Sequence, residues 1–157
     1  MNIPFSPPDI TEAEINEVAE ALRSGWITTG PRTKELEKRL SEYCHTSKTV
    51  CLNSATAAEE LNFRICGIGD GDEVIVPAYT YTATASAAIH CGAKVVFVDS
   101  QKDSTEMDYD KVAAAITERT KAIVAVDLAG IVADYDRLYR IANDKRTLFN
   151  ARKGNDL

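Results

Sequence analysis

The sequence alternates short apolar runs with segments of helical periodicity. The apolar runs are three to five residues long, are bounded by polar residues, and lie at 49–52, 74–76, 94–98 and 122–126. Alternating strands and helices are typical of a mainly parallel sheet that is covered by helices on both faces. The sequence therefore predicts an α/β fold with a three-layer αβα arrangement.

Capping signals place the predicted helices. The first helix is expected to begin after Thr11, because Thr11 and Glu14 form a capping box, and to end at Gly25. Asp108 and Asp134 are the predicted N-caps of the last two helices. The helices predicted after the first one cover residues 33–43, 57–66, 82–90, 109–116 and 135–142, of which the last two are those capped by Asp108 and Asp134.

The pattern changes after Ala142. Another apolar strand is expected there, but residues 143–157 are polar and show no clear period. We therefore predict two parts, an incomplete α/β domain with its N-terminal segment at 1–142 and an aberrant polar tail at 143–157. A change this abrupt suggests a frameshift or an engineered truncation.

Composition and charge argue against several classes of function. With 18 Lys and Arg against 24 Asp and Glu, the net charge is −6, and nucleic acid is not an expected partner. No stretch reaches the ~18 apolar residues of a membrane span, and the first ten residues do not resemble a signal peptide. The four cysteines show no C-x-x-C spacing and there are only two histidines, so we expect reduced, mostly core cysteines, no metal site and a cytoplasmic protein.

A first candidate site is the turn that contains Ser54, Ala55 and Thr56, between a predicted strand and the next helix. Free backbone N–H groups and the helix dipole favour an anion at such a position, and the hydroxyls of Ser54 and Thr56 can donate to a phosphate. The alternative is that one of these hydroxyls only caps the helix.

A second candidate is the segment after the next predicted strand, which contains Tyr79 and Tyr81. An aromatic ring at this edge can stack on a planar ligand, or it can simply cover the end of the sheet. Asp99 and Asp127 follow later strands, where a carboxylate either orients a ligand or serves as a cap or turn residue.

Five segments carry a family resemblance, in this order and spacing: GWITTGP at 25–31, NSATAA at 53–58, GDEVIVPAYTYTA at 71–83, GAKVVFVD at 92–99 and LAG at 128–130. Together they resemble the DegT/StrS nucleotide-sugar aminotransferases, over roughly residues 3 to 142. These are fold-type I enzymes that use pyridoxal phosphate. The resemblance implies that residues 1–142 include an incomplete large, cofactor-binding domain.

The resemblance also implies roles for individual residues. Ala55 and Thr56 correspond to residues that bind the cofactor phosphate, and Ser54 is expected to assist them. Tyr81 matches the aromatic residue that stacks on the pyridine ring, with Tyr79 the weaker choice. A further segment, with Trp26, Thr28 and Thr29, is similar to one near the substrate site of the family's homodimers. A nucleotide sugar, an amino donor and a second copy of the chain are therefore the expected partners.

The family's Schiff-base lysine and the Asp that pairs with the pyridine nitrogen lie beyond the resemblance. Neither Lys145 nor Lys153 is assigned as that lysine, so no catalytic residue is predicted. We expect a truncated sugar aminotransferase that does not transaminate by itself. The alternatives are a non-catalytic phosphate-binding or interaction module and a fragment of a related sugar dehydratase. Two departures from the family are Asp127, where His is frequent, and Glu59, where an apolar helix residue is usual.

Overall fold

The computed structural model describes residues 7–145 of the 157-residue chain. The chain divides into two compact units, residues 1–51 and residues 52–157. The first six residues and residues 146–157, which hold most of the predicted polar tail, lie outside the described residues. No helix between residues 7 and 145 combines the length and the apolar character that crossing a membrane requires.

The first unit contains two helices, α1 (Glu12–Arg23) and α2 (Pro31–Tyr43). The predicted capping box is confirmed. The Thr11 side chain accepts a hydrogen bond from the Ala13 N–H in the first turn, and the Glu14 carboxylate accepts one from the Thr11 N–H at 2.7 Å. Helix α2 begins two residues before the predicted residue 33, because Pro31 occupies its first position.

The strand predicted at residues 49–52 is wrong. No residue of this segment belongs to a strand, and no strand in the described part of the chain pairs with it. The Cys51 N–H instead donates to the Glu37 carboxylate at 2.9 Å. An apolar run becomes a strand only where a neighbouring strand supplies the ladder hydrogen bonds.

The second unit is a three-layer αβα structure, which confirms the predicted fold class. Its strands are β1 (Glu73–Pro77), β2 (Lys94–Val98) and β3 (Thr120–Ile123). Its helices are α3 (Ala55–Ile65), α4 (Ala83–His90), α5 (Tyr109–Ala115) and α6 (Tyr135–Lys145). The strand order is β2-β1-β3, and both pairings are parallel.

The two faces of the sheet hold separate cores because successive side chains of a strand point to opposite faces. Val74 and Val76 pack with Phe63 of α3 and with Ala87 and Ala88 of α4. On the other face Ile75 and Val98 pack with residues of α5 and α6 and with one residue before α5: Tyr109 and Val112, Leu138, and Met107. β1 is therefore covered on both faces, and all five of its residues are buried.

A buried carboxylate lies at the amino end of the sheet. The Glu73 side chain is 2% exposed and accepts hydrogen bonds from Thr117 at 2.6 Å, from Arg119 Nη2 at 2.8 Å and from Lys94 at 3.0 Å. This cluster links β1 to β2 and to the loop before β3.

Two further expectations need correction. Helix α6 continues to Lys145, three residues beyond the predicted end at Ala142. The four cysteines are free, but they are not mostly core residues: Cys44 and Cys66 are exposed, and the other two are partly buried, with Cys91 packed against the core.

Candidate functional site

The candidate residues of the second unit lie towards the carboxyl edge of the sheet. Helices α3 and α4 run parallel, because Glu60 and Arg64 near the end of α3 contact His90 at the end of α4. Their first turns therefore lie at the same edge. β1 ends at that edge and leads directly through the loop of residues 78–82 into α4.

The N-terminus of α3 presents unpaired donors. Ser54 is the N-cap, and its hydroxyl oxygen accepts from the Ala57 N–H at 3.1 Å. The N–H groups of Ala55 and Thr56 and the Thr56 hydroxyl have no partner among residues 7–145. Ser54 and Ala55 are exposed and Thr56 is half-buried, so a ligand can reach these donors.

These donors fit a phosphate group. Two backbone N–H groups and one hydroxyl lie at the positive end of an eleven-residue helix. The Ser54 hydroxyl can still donate its proton while its oxygen caps the helix. Capping and phosphate binding, which were alternatives in the sequence, are therefore compatible at Ser54.

The loop after β1 holds its tyrosine rings in solvent. Tyr81 is 79% exposed and Tyr79 is 59% exposed, so the Tyr81 ring does not cover the end of the sheet. Backbone hydrogen bonds anchor both ends of the loop. The Ala78 N–H donates to the Val98 carbonyl oxygen at 2.8 Å, and the Thr84 N–H donates to the Tyr81 carbonyl oxygen at 3.2 Å. A flat ligand at this edge therefore finds an accessible ring on an anchored loop.

Asp99 and Asp127 make turn contacts in this structure. One Asp127 oxygen accepts from the Ala133 N–H and from the Tyr135 hydroxyl, both at 3.0 Å. Partial burial, and then this hydrogen bond, raise the pKa of Tyr135. Asp99 accepts from the following N–H of Ser100 at 2.9 Å.

The loop that Asp127 closes contains a feature that the sequence pattern did not reveal. Ala129 has φ 54° within a short 3-10 turn, Leu128–Gly130. This left-handed conformation is uncommon for a residue with a Cβ atom. The loop that contains it is closed by the hydrogen bonds that Asp127 accepts from Ala133 and Tyr135.

Trp26, Thr28 and Thr29 belong to the first unit, whereas the phosphate and ring candidates belong to the second. The Trp26 indole N–H donates to the Thr29 carbonyl at 3.1 Å. The indole ring covers Gly30, where an added Cβ atom would overlap it. The segment is thus a closed turn that leads into α2.

Replacing Gly30 by Ala is expected to displace this indole. The backbone of Gly30 is extended, so the effect comes from the overlap of the new Cβ atom with the ring. Trp26 is the only tryptophan of the chain, so its fluorescence reports this site alone. We expect emission at longer wavelength and stronger acrylamide quenching, with a stability change within roughly 1 kcal/mol.

Gly69→Ala is the matched control for this substitution. A Cβ atom there meets its nearest neighbour, the Cys91 carbonyl oxygen, at 3.7 Å, which is ordinary contact. Unchanged emission in Gly30→Ala would show that the indole does not cover Gly30.

Known proteins resemble this chain over most of its length. It is 44% identical over 137 residues to the UDP-4-amino-4-deoxy-L-arabinose–oxoglutarate aminotransferase of Shewanella sediminis, covering 87% of this chain and 35% of that protein. It is 40% identical over 142 residues to the spore coat polysaccharide biosynthesis protein SpsC of Bacillus subtilis, covering 90% and 36%. The chain therefore spans little more than a third of the length of these relatives.

A solved structure is also similar to this chain. Spr1654 from Streptococcus pneumoniae, assigned as a sugar aminotransferase, is 65% identical and superimposes with a TM-score of 0.90 over 98% of this chain and 38% of its own. Structures of that protein include PLP and PMP forms, so pyridoxal phosphate is the cofactor that the family implies. The model of the DegT/DnrJ/EryC1/StrS aminotransferase family matches residues 8–149, and this chain belongs to that family.

Proposed function

We propose that this chain supplies the phosphate- and ring-binding edge of a pyridoxal-phosphate-dependent sugar aminotransferase. The observation that carries the proposal is the first turn of α3, where the N–H groups of Ala55 and Thr56 and the Thr56 hydroxyl have no partner among residues 7–145. The sequence resemblance assigns these two residues to the cofactor phosphate. The name of the Shewanella sediminis relative, which pairs a UDP-sugar with oxoglutarate, supports a nucleotide sugar as the acceptor and an amino acid as the donor in the whole enzyme.

Each candidate residue has a distinct task in this proposal. The N–H groups of Ala55 and Thr56 and the Thr56 hydroxyl bind the phosphate. The Ser54 hydroxyl donates a further hydrogen bond to the phosphate while its oxygen caps the helix. Tyr81 stacks on the pyridine ring. When bound, pyridoxal phosphate carries the amino group from the donor to the sugar.

The proposal assigns binding, and no catalysis, to this chain by itself. No residue within the matched motifs takes the part of the Schiff-base lysine, and the chain spans little more than a third of its relatives. We therefore expect no amino transfer by the isolated chain. Trapping with pyridoxal phosphate and borohydride is expected to label no single lysine stoichiometrically.

The variant Ala55→Pro tests the phosphate site without removing a helix turn. Proline lacks the N–H donor, yet it is favoured at the first position of a helix, which Ala55 occupies in α3. The preceding Ser54 is already extended, as proline requires of its neighbour. We expect pyridoxamine phosphate to bind the wild-type chain and Ala55→Pro to weaken it roughly tenfold or more, because a hydrogen bond to a charged group is lost.

Equilibrium dialysis measures this effect, and circular dichroism confirms that α3 is retained. Pyridoxamine without its phosphate is the matched control ligand, and it is expected to bind both forms equally weakly. Equal affinity of the two forms for pyridoxamine phosphate would place the phosphate elsewhere and end the proposal.

A further inference from the structure

The hydrogen-bonded pairing of β1 with β3 ends at Pro77. On the β3 side, the Val124 N–H donates to the Ile75 carbonyl oxygen at 2.9 Å. Backbone groups of alternate residues point to the same side of a strand, so Pro77 is the next residue of β1 that faces β3, and proline has no N–H to donate. On the β2 side the pairing continues past Pro77, because the Ala78 N–H donates to the Val98 carbonyl oxygen at 2.8 Å.

The carboxyl ends of β1 and β3 therefore separate. After Val124, no backbone hydrogen bond joins the chain of β3 to β1 within residues 7–145. The two strands also lead to opposite faces of the sheet: β1 continues into α4, which packs in one core, whereas β3 is followed by α6, which packs in the other. In open α/β sheets, ligands bind in the crevice between strands that diverge in this way. The space between loops 78–82 and 127–130 is called the β1–β3 crevice below.

Asp127 begins the second of these loops and has one carboxylate oxygen that no protein group occupies. Its Oδ1 accepts from the Ala133 N–H and the Tyr135 hydroxyl, both at 3.0 Å, and these bonds orient the carboxylate. Its Oδ2 has no partner in the described part of the chain, and Asp127 is exposed. The loop is also open beside it, since a Cβ atom added at Gly130 would meet no atom within 4 Å. A ligand can therefore reach a carboxylate oxygen that is already held in place.

Asp99 occupies the equivalent position after β2 but differs in both respects. Its Oδ1 accepts from the Ser100 N–H at 2.9 Å, and its Oδ2 accepts from the Lys111 ammonium group at 3.4 Å. It also follows the strand whose pairing with β1 continues through Ala78. Of the two aspartates at strand ends, the structure therefore favours Asp127 as a residue that binds a ligand.

We propose that Asp127 binds, through Oδ2, the amino group of the cofactor in its amino form, pyridoxamine phosphate. This inference rests on the proposed function, in which the first turn of α3 binds the phosphate of the same molecule. Pyridoxamine phosphate carries an anionic phosphate and a cationic amino group on one ring, so its two ends require opposite partners. Towards the carboxyl edge the chain offers both, the donors of Ala55 and Thr56 and the unoccupied oxygen of Asp127. The aldehyde form lacks the amino group, so this contact distinguishes the two forms of the cofactor.

Calorimetric titration of the full chain with two phosphorylated ligands tests the inference. One ligand is pyridoxamine phosphate, and the other is deoxypyridoxine phosphate, in which a methyl group replaces the aminomethyl group. Asp127→Asn keeps the oxygen that Ala133 and Tyr135 bind and replaces the other oxygen by an NH₂ donor. We expect this variant to bind pyridoxamine phosphate roughly tenfold or more weakly, because a hydrogen bond to a charged group is lost. Its affinity for deoxypyridoxine phosphate is expected to change by no more than about twofold.

Asp99→Asn is the matched control variant. It makes the same change at an exposed strand-end aspartate whose two oxygens already have protein partners. It is expected to leave the affinity for both ligands within roughly twofold of wild type. Circular dichroism and thermal unfolding check that both variants fold.

The possible results separate this inference from the proposed function. Equal weakening of both ligands by Asp127→Asn would show that Asp127 acts only by holding its loop, and equal affinities of Asp127→Asn and Asp99→Asn for pyridoxamine phosphate would make Asp127 a solvated turn residue. Either result overturns the inference while Ala55→Pro can still confirm the phosphate site. If Ala55→Pro has no effect but Asp127→Asn weakens pyridoxamine phosphate selectively, the phosphate assignment fails and the amino contact stands. A wild-type chain that binds neither ligand would overturn both.

Discussion

Replacing Glu73 by Gln is expected to lower the free energy of unfolding by about 2–3 kcal/mol at neutral pH. One Glu73 oxygen accepts from Arg119 and Lys94, and the other accepts from Thr117. The amide of Gln keeps the shape but has no charge, and its NH₂ group turns a donor toward other donors. Because Arg119 and Lys94 are more than half exposed, water solvates them after the change, which keeps the cost below that of a stranded buried charge.

The pH dependence of this effect has a definite sign. The hydrogen bond from Thr117, followed by those from Arg119 and Lys94, lowers the pKa of Glu73 from 4.5 to about 2, against the opposing effect of burial. A lowered pKa in the folded state contributes stability above pH 4.5 that is lost as the pH falls toward 2. The stability difference between wild type and Glu73→Gln is therefore expected to shrink over that interval.

Urea unfolding at pH 7, 4.5 and 3 measures this difference. Glu118→Gln is the control, because Glu118 is exposed in the same loop as two of the partners, and it is expected to change stability by less than about 0.5 kcal/mol. If Glu73→Gln and Glu118→Gln behave alike, the Glu73 cluster contributes nothing to folding.

Replacing Glu59 by Leu is expected to stabilise the protein by about 1–2 kcal/mol. One carboxylate oxygen of Glu59 is buried and has no hydrogen-bond partner among the described residues. Glu59 lies one helical turn before the buried Phe63, on the face of α3 that packs on the sheet. Leu removes the desolvated carboxylate and fits the apolar surroundings.

Glu59 titrates with the opposite sign to Glu73. Burial raises the pKa of Glu59, so the protonated form is favoured in the folded state. The stabilising contribution of the protonated Glu59 is therefore fully present below its ordinary pKa of 4.5. This contribution is lost as the pH rises through the raised pKa. The advantage of Glu59→Gln over wild type is therefore expected to appear only as the pH rises.

Thermal unfolding of the Glu59 variants should be compared with that of Asn62→Leu. Asn62 is exposed on the same helix, so this variant reports the general effect of adding Leu to α3. An equal gain from both substitutions would show that the buried carboxylate carries no penalty.

Local signals predicted most of the fold. β2 lies where the apolar run at 94–98 placed it, and Thr11, Asp108 and Asp134 cap helices as expected. The strand expected at 49–52 failed because its existence depends on a partner strand, which no local pattern specifies. The Glu73 cluster was not predicted because its partners lie 21 to 46 residues away in sequence.

The residues of the candidate site were named from the sequence, and their roles stay predictions. The predicted strand before this site does not form, but the small, hydroxyl-rich turn and the helix after it are present, and the N–H groups of Ala55 and Thr56 have no partner among residues 7–145. The sequence also drew attention to Glu59 as an acid on an apolar helix face, and its oxygen is buried without a partner. The contact between the Trp26 indole and Gly30 depends on side-chain packing within a turn, and the hydrophobic periodicity of the sequence gives no information about such packing.

The strand order also determines how the nascent chain is exposed during synthesis. The central strand, β1, is made before both of its neighbours, β2 and β3. At about 5–20 residues per second, β3 follows β1 by roughly 2–9 s. During that interval the run of Val74, Ile75 and Val76 has at most one neighbouring strand, and such short apolar segments are prone to pair with other chains. Translation speed between β1 and β3 therefore sets how long this apolar run is without its second neighbouring strand.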